Sequence, residues 1–577
     1  MLRLMKYWAI LVICLCSSWV TAQVPADTVL RGGDIYTVDA NRSWAKAMAI
    51  TEGKIVYVGL ESGIDAYIGK QTNVVELNGQ MVLPGFQDSH IHPISSSLNS
   101  YMCSLFGLPD VTSYLDEIAD CIARNPDAEW IHGAGWAHRS FDTENQPTKF
   151  MLDKLLANRP LTLRSYDGHS LWANSKALSV AGIDSLTADV PSGKIIRIDN
   201  SLEPSGLFLE DPAQDLVMSA KGQYTDDETY SALLHVQKYL NSLGITSMQD
   251  ALVDIDSDSN GIYSVLPAYL QAAEKGTLSL RVVAALYWDP NKGMEQIESM
   301  KAVREAAKYD RFRATSVKVW QDGVMHTHTS HLLEDYADKP GEKGMVMIPE
   351  DRLIQLVKAL DKEGFQMHFH ADGDGALRQC LDAVEAAIKE NGRRDSRHHI
   401  AHLELVHPDD IPRFRELDVI ANVQPIWSTS KAYISDLIEV KIGKKRKRWL
   451  QINKSFLDQG VTVAYGSDWY VTTPNPLEVI EAAVTRIRPA LPLAVKMQST
   501  PLLPDENVTV ADAIASYTIN GAYVNHQEQT TGSLEVGKLA DFVILDTNIF
   551  AVPAVEISQI KVLKTYLDGD LVYERSP

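Results

Sequence analysis

The chain has 577 residues, 22% of them charged, and a formal net charge of −21. Its length is sufficient to bury a large core and to form more than one domain. The acidic excess argues against nucleic acid or an anionic membrane surface as a partner.

Residues 1–22 have the pattern of an export signal. Arg3 and Lys6 precede an apolar stretch over residues 7–20, and a small-residue cleavage signal ends at Ala22. The apolar stretch is short for a membrane-spanning helix. We therefore expect cleavage after Ala22, no membrane association beyond the signal, and a secreted or periplasmic protein.

Three cysteines remain after this cleavage: Cys103, Cys121 and Cys380. Three are too few for a disulfide framework in a chain of this size. A single Cys103–Cys121 bridge and buried free thiols both remain open as interpretations.

The two ends of the chain share a sequence pattern of short predicted strands, with alternating apolar and polar residues, separated by glycine turns. Residues 23–82 contain Lys54–Val58, for example, and residues 520–577 contain Phe542–Leu545 and a hairpin signal at Asp568-Gly569-Asp570. Neither end has enough strands for a stable core of its own. Together they predict one composite β-sandwich built from both chain ends.

Residues 83–519 alternate strands with helical stretches, which predicts an α/β domain with a distorted TIM (β/α)8 barrel. Residues 104–225 are too long for a β/α loop, and we interpret them as an inserted subdomain that covers the barrel mouth. The eight candidate barrel strands are Met81–Pro84, Ile245–Gln249, Leu280–Leu286, Ser316–Trp320, Gln366–His370, His399–His402, Val419–Val423 and Val461–Tyr465.

Polar residues follow most of these strands, and the pair His90 and His92 is the most informative. Side chains alternate along a strand, so these two imidazoles point the same way and supply half of a divalent metal site. A lone H-x-H pair is more often a surface or packed pair. Further metal-ligand residue types follow later strands, namely His370, His402 and Asp468.

Lys318 is unusual because it lies in the apolar stretch Thr315–Trp320. A lysine at such a place usually extends its amine to solvent. A buried amine instead loses its proton readily, and it can then take up carbon dioxide to become a carbamate. Such a carbamate has the reach to bridge two cations.

Four stretches carry a family resemblance over nearly the whole mature chain. The sequence resembles the amidohydrolase superfamily, specifically the amidohydrolase type 3 group that includes N-substituted formamide deformylases. The stretches are residues 83–92, 167–178, 466–468 and 532–542.

The resemblance implies one or two divalent metal ions, most often zinc. It implies that His90, His92 and Asp468 hold one cation, that His370 and His402 hold the second, and that N6-carboxylated Lys318 bridges them. Imidazole and carboxylate ligands suit zinc without excluding iron, manganese or cobalt.

The resemblance also implies two catalytic residues. Asp468 acts as general base toward a water whose pKa the metal lowers, and it then returns the proton to the departing nitrogen. His169, in the insertion, faces the mouth and contacts the substrate carbonyl oxygen. The alternative for His169 is a structural histidine that caps the following helix.

The sequence departs from the family pattern at two places. Where the group usually has an arginine and a glutamate before the third ligand histidine, His399 and Ala401 leave the support of His402 in doubt. The segment after Lys318 carries three histidines that either shape the substrate pocket or add a metal contact, namely His326, His328 and His331.

Three aromatic side chains have two interpretations each. His368 lies on the same strand face as His370, but the family pattern makes it a supporting or packing residue. Trp136 and Trp172 either line an apolar pocket or belong to the core, which is the commoner place for tryptophan.

The sequence therefore predicts a secreted metal-dependent hydrolase that cleaves a non-peptide carbon–nitrogen bond in a small amide, formamide or cyclic amide. An esterase or small-peptide hydrolase with the same site is the second hypothesis, because such sites change substrate through their loops. A metal-bound but inactive binding protein is the third. The oligomeric state, including a homo-oligomer, stays open.

Overall fold

The fold is organised around a barrel of eight parallel strands. The computed structural model describes residues 24–99, 103–141, 146–222, 224–255, 264–429, 434 and 438–576. Each barrel strand pairs in parallel with the next one along the chain. The strands are β1 (Phe86–Ile91), β2 (Ile245–Val253), β3 (Arg281–Tyr287), β4 (Phe312–Trp320), β5 (Gln366–Ala371), β6 (His399–His402), β7 (Ile420–Val423) and β8 (Val463–Tyr465).

The barrel closes through individual hydrogen bonds where β1 meets β8. Ser89 Oγ donates to the carbonyl oxygen of Tyr465 at 2.7 Å. Just beyond β8, the amide of Asp468 donates to the carbonyl oxygen of His90 at 2.7 Å. The predicted distorted (β/α)8 barrel is thus confirmed, in a nearly closed form.

The helices that flank the barrel share one hydrophobic core with its strands, whereas the helices of the insertion pack in separate cores. In Asp226–Ser242, the side chains of Thr225 and Glu228 cap the first turn reciprocally, and buried Leu233 and Val236 recur at helical spacing. The α-helices are Pro93–Asn99, Val111–Arg124, Lys149–Asp153, Ser175–Ala181, Asp211–Met218, Asp226–Ser242, Leu266–Glu274, Gln296–Ala306, Glu350–Lys362, Asp374–Asn391, Ile411–Glu416, Glu439–Arg446, Lys454–Asp458, Pro476–Thr485, Leu493–Lys496, Val510–Ser516 and Ile519–Val524.

The prediction that Met81–Pro84 is the first barrel strand is wrong. This stretch pairs antiparallel with Phe542–Leu545 in the terminal sheet, and β1 begins only at Phe86. Both stretches are buried on both faces, so their apolar pattern does not distinguish a sheet strand from a barrel strand. Gly85 separates them, and a Cβ there would lie 2.2 Å from Thr246 Oγ1.

The two chain ends form one eight-stranded sheet, which confirms the composite terminal domain. All eight strands belong to a single hydrogen-bonded sheet, and strands from both chain ends share one hydrophobic core. The predicted hairpin is present, with Leu567 opposite Asp570 across the Asp568-Gly569 turn. The strands are Thr28–Tyr36, Trp44–Thr51, Lys54–Gly59, Asn73–Glu76, Met81–Pro84, Phe542–Leu545, Val562–Leu567 and Asp570–Glu574.

The insertion between β1 and β2 has a six-stranded sheet and a core of its own. A disulfide joins Cys103 to Cys121, whereas Cys380 is a buried free thiol. Trp136 and Trp172 are fully buried in the insertion core, so they do not line a pocket. The strands are Cys103–Ser104, Ile131–Trp136, Leu161–Ser165, Ser170–Ala173, Lys194–Arg197 and Pro204–Leu209.

The predicted export signal, residues 1–22, lies outside the described residues. Within the described ranges, no helix combines the length and the apolar character needed to span a membrane.

A buried ion cluster attaches the terminal sheet to the barrel. Arg281, the first residue of β3, donates from Nε to Asp541 at 2.9 Å and also contacts Asp568. Arg311 donates to Asp568 at 2.8 Å. Arg281 and Asp541 are almost fully buried, so removal of one partner leaves an uncompensated charge in the interior.

We predict that Arg281→Met lowers the free energy of unfolding by about 3–5 kcal/mol, because Asp541 loses its buried partner. Urea denaturation followed by circular dichroism measures this change. The matched control is Arg393→Met, which breaks the exposed ion pair with Asp418 and is expected to change stability by at most about 1 kcal/mol. Equal, small effects of both variants would contradict the proposed role of the cluster.

Candidate metal centre

The structure brings all six predicted metal ligands to the same end of the barrel. The carboxyl ends of parallel barrel strands meet at one rim, so residues far apart in sequence become neighbours there. All but His90, which lies buried at the end of β1, line a cavity of about 130 Å³. The six are His90 and His92 at the end of β1, Lys318 in β4, His370 in β5, His402 at the end of β6 and Asp468 beyond β8.

His90, His92 and Asp468 form a compact chelating group. The Nε2 atoms of His90 and His92 each lie 3.3 Å from Asp468 Oδ1. The three ligand atoms lie within 4.8 Å of one another, a spacing that could accommodate a metal ion. Two imidazoles and a carboxylate form a donor set that zinc accepts.

His370 and His402 form a second pair beside this group. Their ring centres are 4.4 Å apart, and His402 Nδ1 lies 3.9 Å from Asp468 Oδ2. Burial, followed by the charge of Lys318, holds the pKa of His370 well below its usual value. Burial and neighbouring His370 do the same for the pKa of His402. Neutral imidazoles are the form that binds metals.

Several ring nitrogens at this centre make no hydrogen bond with a described residue, although they are buried. Buried polar atoms in proteins are normally paired, so these nitrogens fit a centre whose missing partner is a cation. They are Nε2 of His90, both ring nitrogens of His370 and Nδ1 of His402.

Lys318 is buried in β4, with 2% of its surface exposed, and lines the same cavity. Burial lowers the pKa of its amine to about 8, although Asp468 and other carboxylates act in the opposite direction. The fraction of neutral amine at neutral pH is therefore much larger than for a solvated lysine. A neutral amine is the form that takes up carbon dioxide.

Asp468 is ionised in this setting. Burial alone would raise the pKa of its carboxyl, but the hydrogen bond to His92 and electrostatic interaction with nearby His402, His92 and Lys318 lower that pKa below its usual value. Asp468 and His402 both have left-handed backbone conformations, with φ of +54° and +79°. Such conformations are uncommon outside glycine and concentrate at functional sites.

A hydrogen-bond chain orients His90. Gln249 Nε2 donates to the side chains of Gln366 and Asn525, so its Oε1 accepts from His368 Nδ1 at 2.6 Å. The opposite nitrogen of neutral His368 then accepts from His90 Nδ1 at 2.8 Å. This arrangement directs the free lone pair of His90 Nε2 toward Asp468. His368 therefore supports a ligand, as the family pattern implies.

His402 is positioned differently from what the family pattern implies. Gln424 Oε1 accepts from the His402 amide at 2.9 Å, and the imidazole stacks on Trp427 with ring centres 5.3 Å apart. His399 does not support His402, because it accepts from Asn422 at 3.1 Å and packs against His368. His399, where the sequence departs from the family pattern, thus packs on the side of the centre that contains His90.

His169 reaches the cavity from the insertion. Its Nδ1 donates to Glu210 Oε2 at 2.7 Å, and Glu210 Oε1 accepts from Thr329 Oγ1 at 2.5 Å. Burial acts to lower the pKa of His169, but Glu210 and neighbouring carboxylates outweigh it and raise the pKa to about 9. Asn174, not His169, caps the following helix.

The histidine-rich segment after Lys318 forms ion pairs of its own. His326 Nε2 lies 2.8 Å from Asp167, and His328 Nε2 lies 2.9 Å from Asp338. Among the described residues, only His90, His92 and Asp468 form a three-member group with metal-ligand spacing. The alternative of an additional metal contact at these histidines is therefore not supported.

Sequence reasoning missed Gln249 and Glu210. Gln249 lies 119 residues before its partner His368, and Glu210 lies 41 residues after His169. Neither belongs to a motif. The one available signal is their place on strands, since Gln249 lies within β2 and Glu210 directly follows the strand Pro204–Leu209.

The chain is similar to known proteins over nearly its whole length. The model of a family described as the amidohydrolase family matches residues 73–573. The chain is 32% identical over 555 residues to the protein LONG AFTER FAR-RED 3 of Arabidopsis thaliana, covering 96% of this chain and 92% of that protein. It is 27% identical over 566 residues to an N-substituted formamide deformylase of Arthrobacter pascens, covering 95% and 99%.

A solved structure shows the same fold. An uncharacterised metal-dependent hydrolase from Pyrococcus horikoshii OT3 superposes with a TM-score of 0.70 at 23% identity, covering 91% of this chain and 99% of that one.

We predict that His368→Phe weakens the binding of Zn²⁺ by about 10- to 100-fold, because His90 loses the acceptor that fixes its ring. Competition with a fluorescent chelator measures the affinity. His235→Phe changes an exposed histidine on the helix Asp226–Ser242 and serves as the control. Unchanged affinity in His368→Phe would show that the hydrogen-bond chain does not support the centre.

Proposed function

The chain belongs to the amidohydrolase family, and on this premise we propose that it hydrolyses a non-peptide carbon–nitrogen bond in a small amide, formamide or cyclic amide. The observation that carries the proposal is the convergence of His90 and His92 on buried Asp468 at 3.3 Å. The similarity to an N-substituted formamide deformylase supports the choice of bond.

His90, His92 and Asp468 would hold one divalent cation, and His370 and His402 are placed to hold a second. We propose zinc, because the imidazole and carboxylate donors suit it. A bound cation of this kind supplies a nucleophilic hydroxide at neutral pH and polarises a carbonyl oxygen.

Asp468 performs the proton transfers in the proposed reaction. Its pKa lies below the usual value, so its carboxylate is ready to accept a proton from the attacking water. The same carboxyl then donates that proton to the departing nitrogen, which is a poor leaving group until it is protonated. Asp468 lines the cavity and is within reach of both positions.

His169 stabilises negative charge on the substrate oxygen. Its Nδ1 is bound to Glu210, so the other side of the ring is available as a donor toward the cavity. With a pKa raised to about 9, the imidazole is positively charged at neutral pH. A buried, preoriented donor of this kind favours the transition state over the substrate.

Lys318 is proposed to act as an N6-carboxylated ligand between the two cations. Its buried position and lowered amine pKa support this modification. If the carbamate is required, Lys318→Ala should lose activity and regain part of it in millimolar acetate or propionate.

We also propose that the protein acts outside the cytoplasm. The apolar stretch and small-residue signal at the N-terminus support export. The Cys103–Cys121 disulfide supports the same location, because disulfides persist mainly in oxidising compartments.

The hydrolase proposal predicts that Zn²⁺-loaded wild-type protein releases amine from at least one member of a panel of N-formyl and N-acyl amines. Asp468→Asn should lower kcat/KM by about 10²- to 10⁴-fold, because the proton acceptor is removed. Fluorescamine detection of the released amine measures the rate, and elemental analysis reports the bound metal.

Asp505→Asn is the control, since Asp505 is an exposed residue of the turn Pro504–Glu506. Full activity in an Asp468→Asn variant that keeps its metal would remove Asp468 as the base. Hydrolysis of esters or dipeptides, with no turnover of any amide in the panel, would favour the alternative substrate class.

The pH profile tests His169. Because its pKa is raised to about 9, the charged imidazole is present at lower pH, and kcat/KM should fall as the pH rises through about 9. Glu210→Gln removes the largest interaction that raises this pKa, so the fall should move to lower pH. An unchanged alkaline limb in Glu210→Gln would show that His169 does not produce it.

A further inference from the structure

A second, larger cavity of about 520 Å³ adjoins the one at the metal centre. Asp167, Tyr470 and Val471 line both cavities, so the two share a wall. The second cavity is therefore the space beside the metal centre to which we assign the remainder of a substrate whose scissile bond lies beside Asp468. The residues that line this cavity thus indicate the chemistry of the part of the substrate that does not react.

Aromatic side chains form much of this second cavity. Phe106 and Tyr166 come from the insertion, whereas Trp427 and Trp469 come from loops at the barrel mouth. Trp427 also stacks on His402, so this wall begins directly at the metal centre. Flat aromatic walls suit a flat apolar group of similar size.

Two arginines from distant parts of the chain face the same cavity. Arg139 belongs to the insertion, and Arg488 follows the helix Pro476–Thr485. Partial desolvation of its side chain and the like charge of Arg139 lower the pKa of Arg488, and no carboxylate of the described residues raises it. Both arginines are exposed at the rim of the cavity, where they add positive charge to its opening in a protein of net charge −21.

The carboxylates that line this cavity are engaged elsewhere. Glu478 accepts from Asn475 Nδ2 at 3.1 Å, and Asp167 is paired with His326 at 2.8 Å. No described carboxylate lies within ion-pair distance of Arg488. The two arginines thus offer their planar donor groups to the cavity, and guanidinium groups bind carboxylates through paired, charge-assisted hydrogen bonds.

We propose that the substrate is an amide with an aromatic or similarly flat apolar body and a carboxylate at its far end, which binds between Arg139 and Arg488. This inference rests on the proposed hydrolase function, since it places the scissile bond at the metal centre. It names a substrate class for that site: N-acyl or N-formyl amines that carry a carboxylate.

Paired substrates test this assignment. The Zn²⁺-loaded enzyme is given N-formyl-4-(aminomethyl)benzoate and the neutral isostere N-formyl-4-(aminomethyl)benzamide. We expect kcat/KM to be at least about tenfold higher for the carboxylate, as charge-assisted pairing of this strength implies. The double variant Arg139→Gln/Arg488→Gln should bring the ratio close to one, because it removes the groups that distinguish the carboxylate from the amide.

Arg448→Gln, which changes an exposed arginine outside the cavity, should keep the wild-type preference. If both formamides are hydrolysed at similar rates and the double variant behaves like wild type, the inference is wrong while the hydrolase function stands. If neither formamide is hydrolysed, these substrates do not support the hydrolase function. The binding of unreactive ligands then tests the inference separately.

Titration calorimetry measures the affinity of the protein for p-toluate and for p-toluamide. The wild-type protein and Asp468→Asn should bind p-toluate more tightly than p-toluamide, and the double arginine variant should lose this difference. Loss of p-toluate binding in Asp468→Asn alone would place the carboxylate at the metal centre and overturn the inference. Equal binding of the two ligands by the wild type would overturn it as well.

Discussion

Asp468 Oδ1 lies 3.3 Å from the Nε2 atoms of both His90 and His92, in the interior of the barrel mouth. A buried carboxylate is costly unless it is paired or binds a metal. Burial would raise its pKa, yet the surrounding imidazoles and Lys318 keep that pKa below its usual value. The centre therefore keeps an anion where a cation would bind, and the surrounding elements are arranged around that anion.

Two kinds of support maintain this arrangement. The closing contacts between β1 and β8 include the hydrogen bond from the Asp468 amide to the His90 carbonyl, which joins two of the candidate ligands through the backbone. The chain from Gln249 through His368 fixes the ring of His90 from the opposite side. Ligands on rigid strands with oriented rings hold a precise geometry. On the insertion side, Glu210 plays the same part for His169.

Local patterns predicted most of the fold, because short apolar strands alternate with longer helical stretches along a parallel barrel. Seven of the eight candidate strands correspond to barrel strands, and their predicted ends differ from the observed ends by at most a few residues. Met81–Pro84 was misassigned because a strand buried on both faces looks the same in either sheet. The candidate ligands came from the family resemblance together with the polar residues at or near the ends of the predicted strands. Gln249 and Glu210 were not predictable, since their contacts span 119 and 41 residues.

A crystal structure of the Zn²⁺-loaded protein, with data collected on both sides of the zinc absorption edge, tests the central claim most directly. The account predicts an anomalous peak within bonding distance of His90, His92 and Asp468, at the position toward which their ligand atoms converge. Zinc bound only at other residues, with these three side chains in ordered positions and no peak between them, would contradict it.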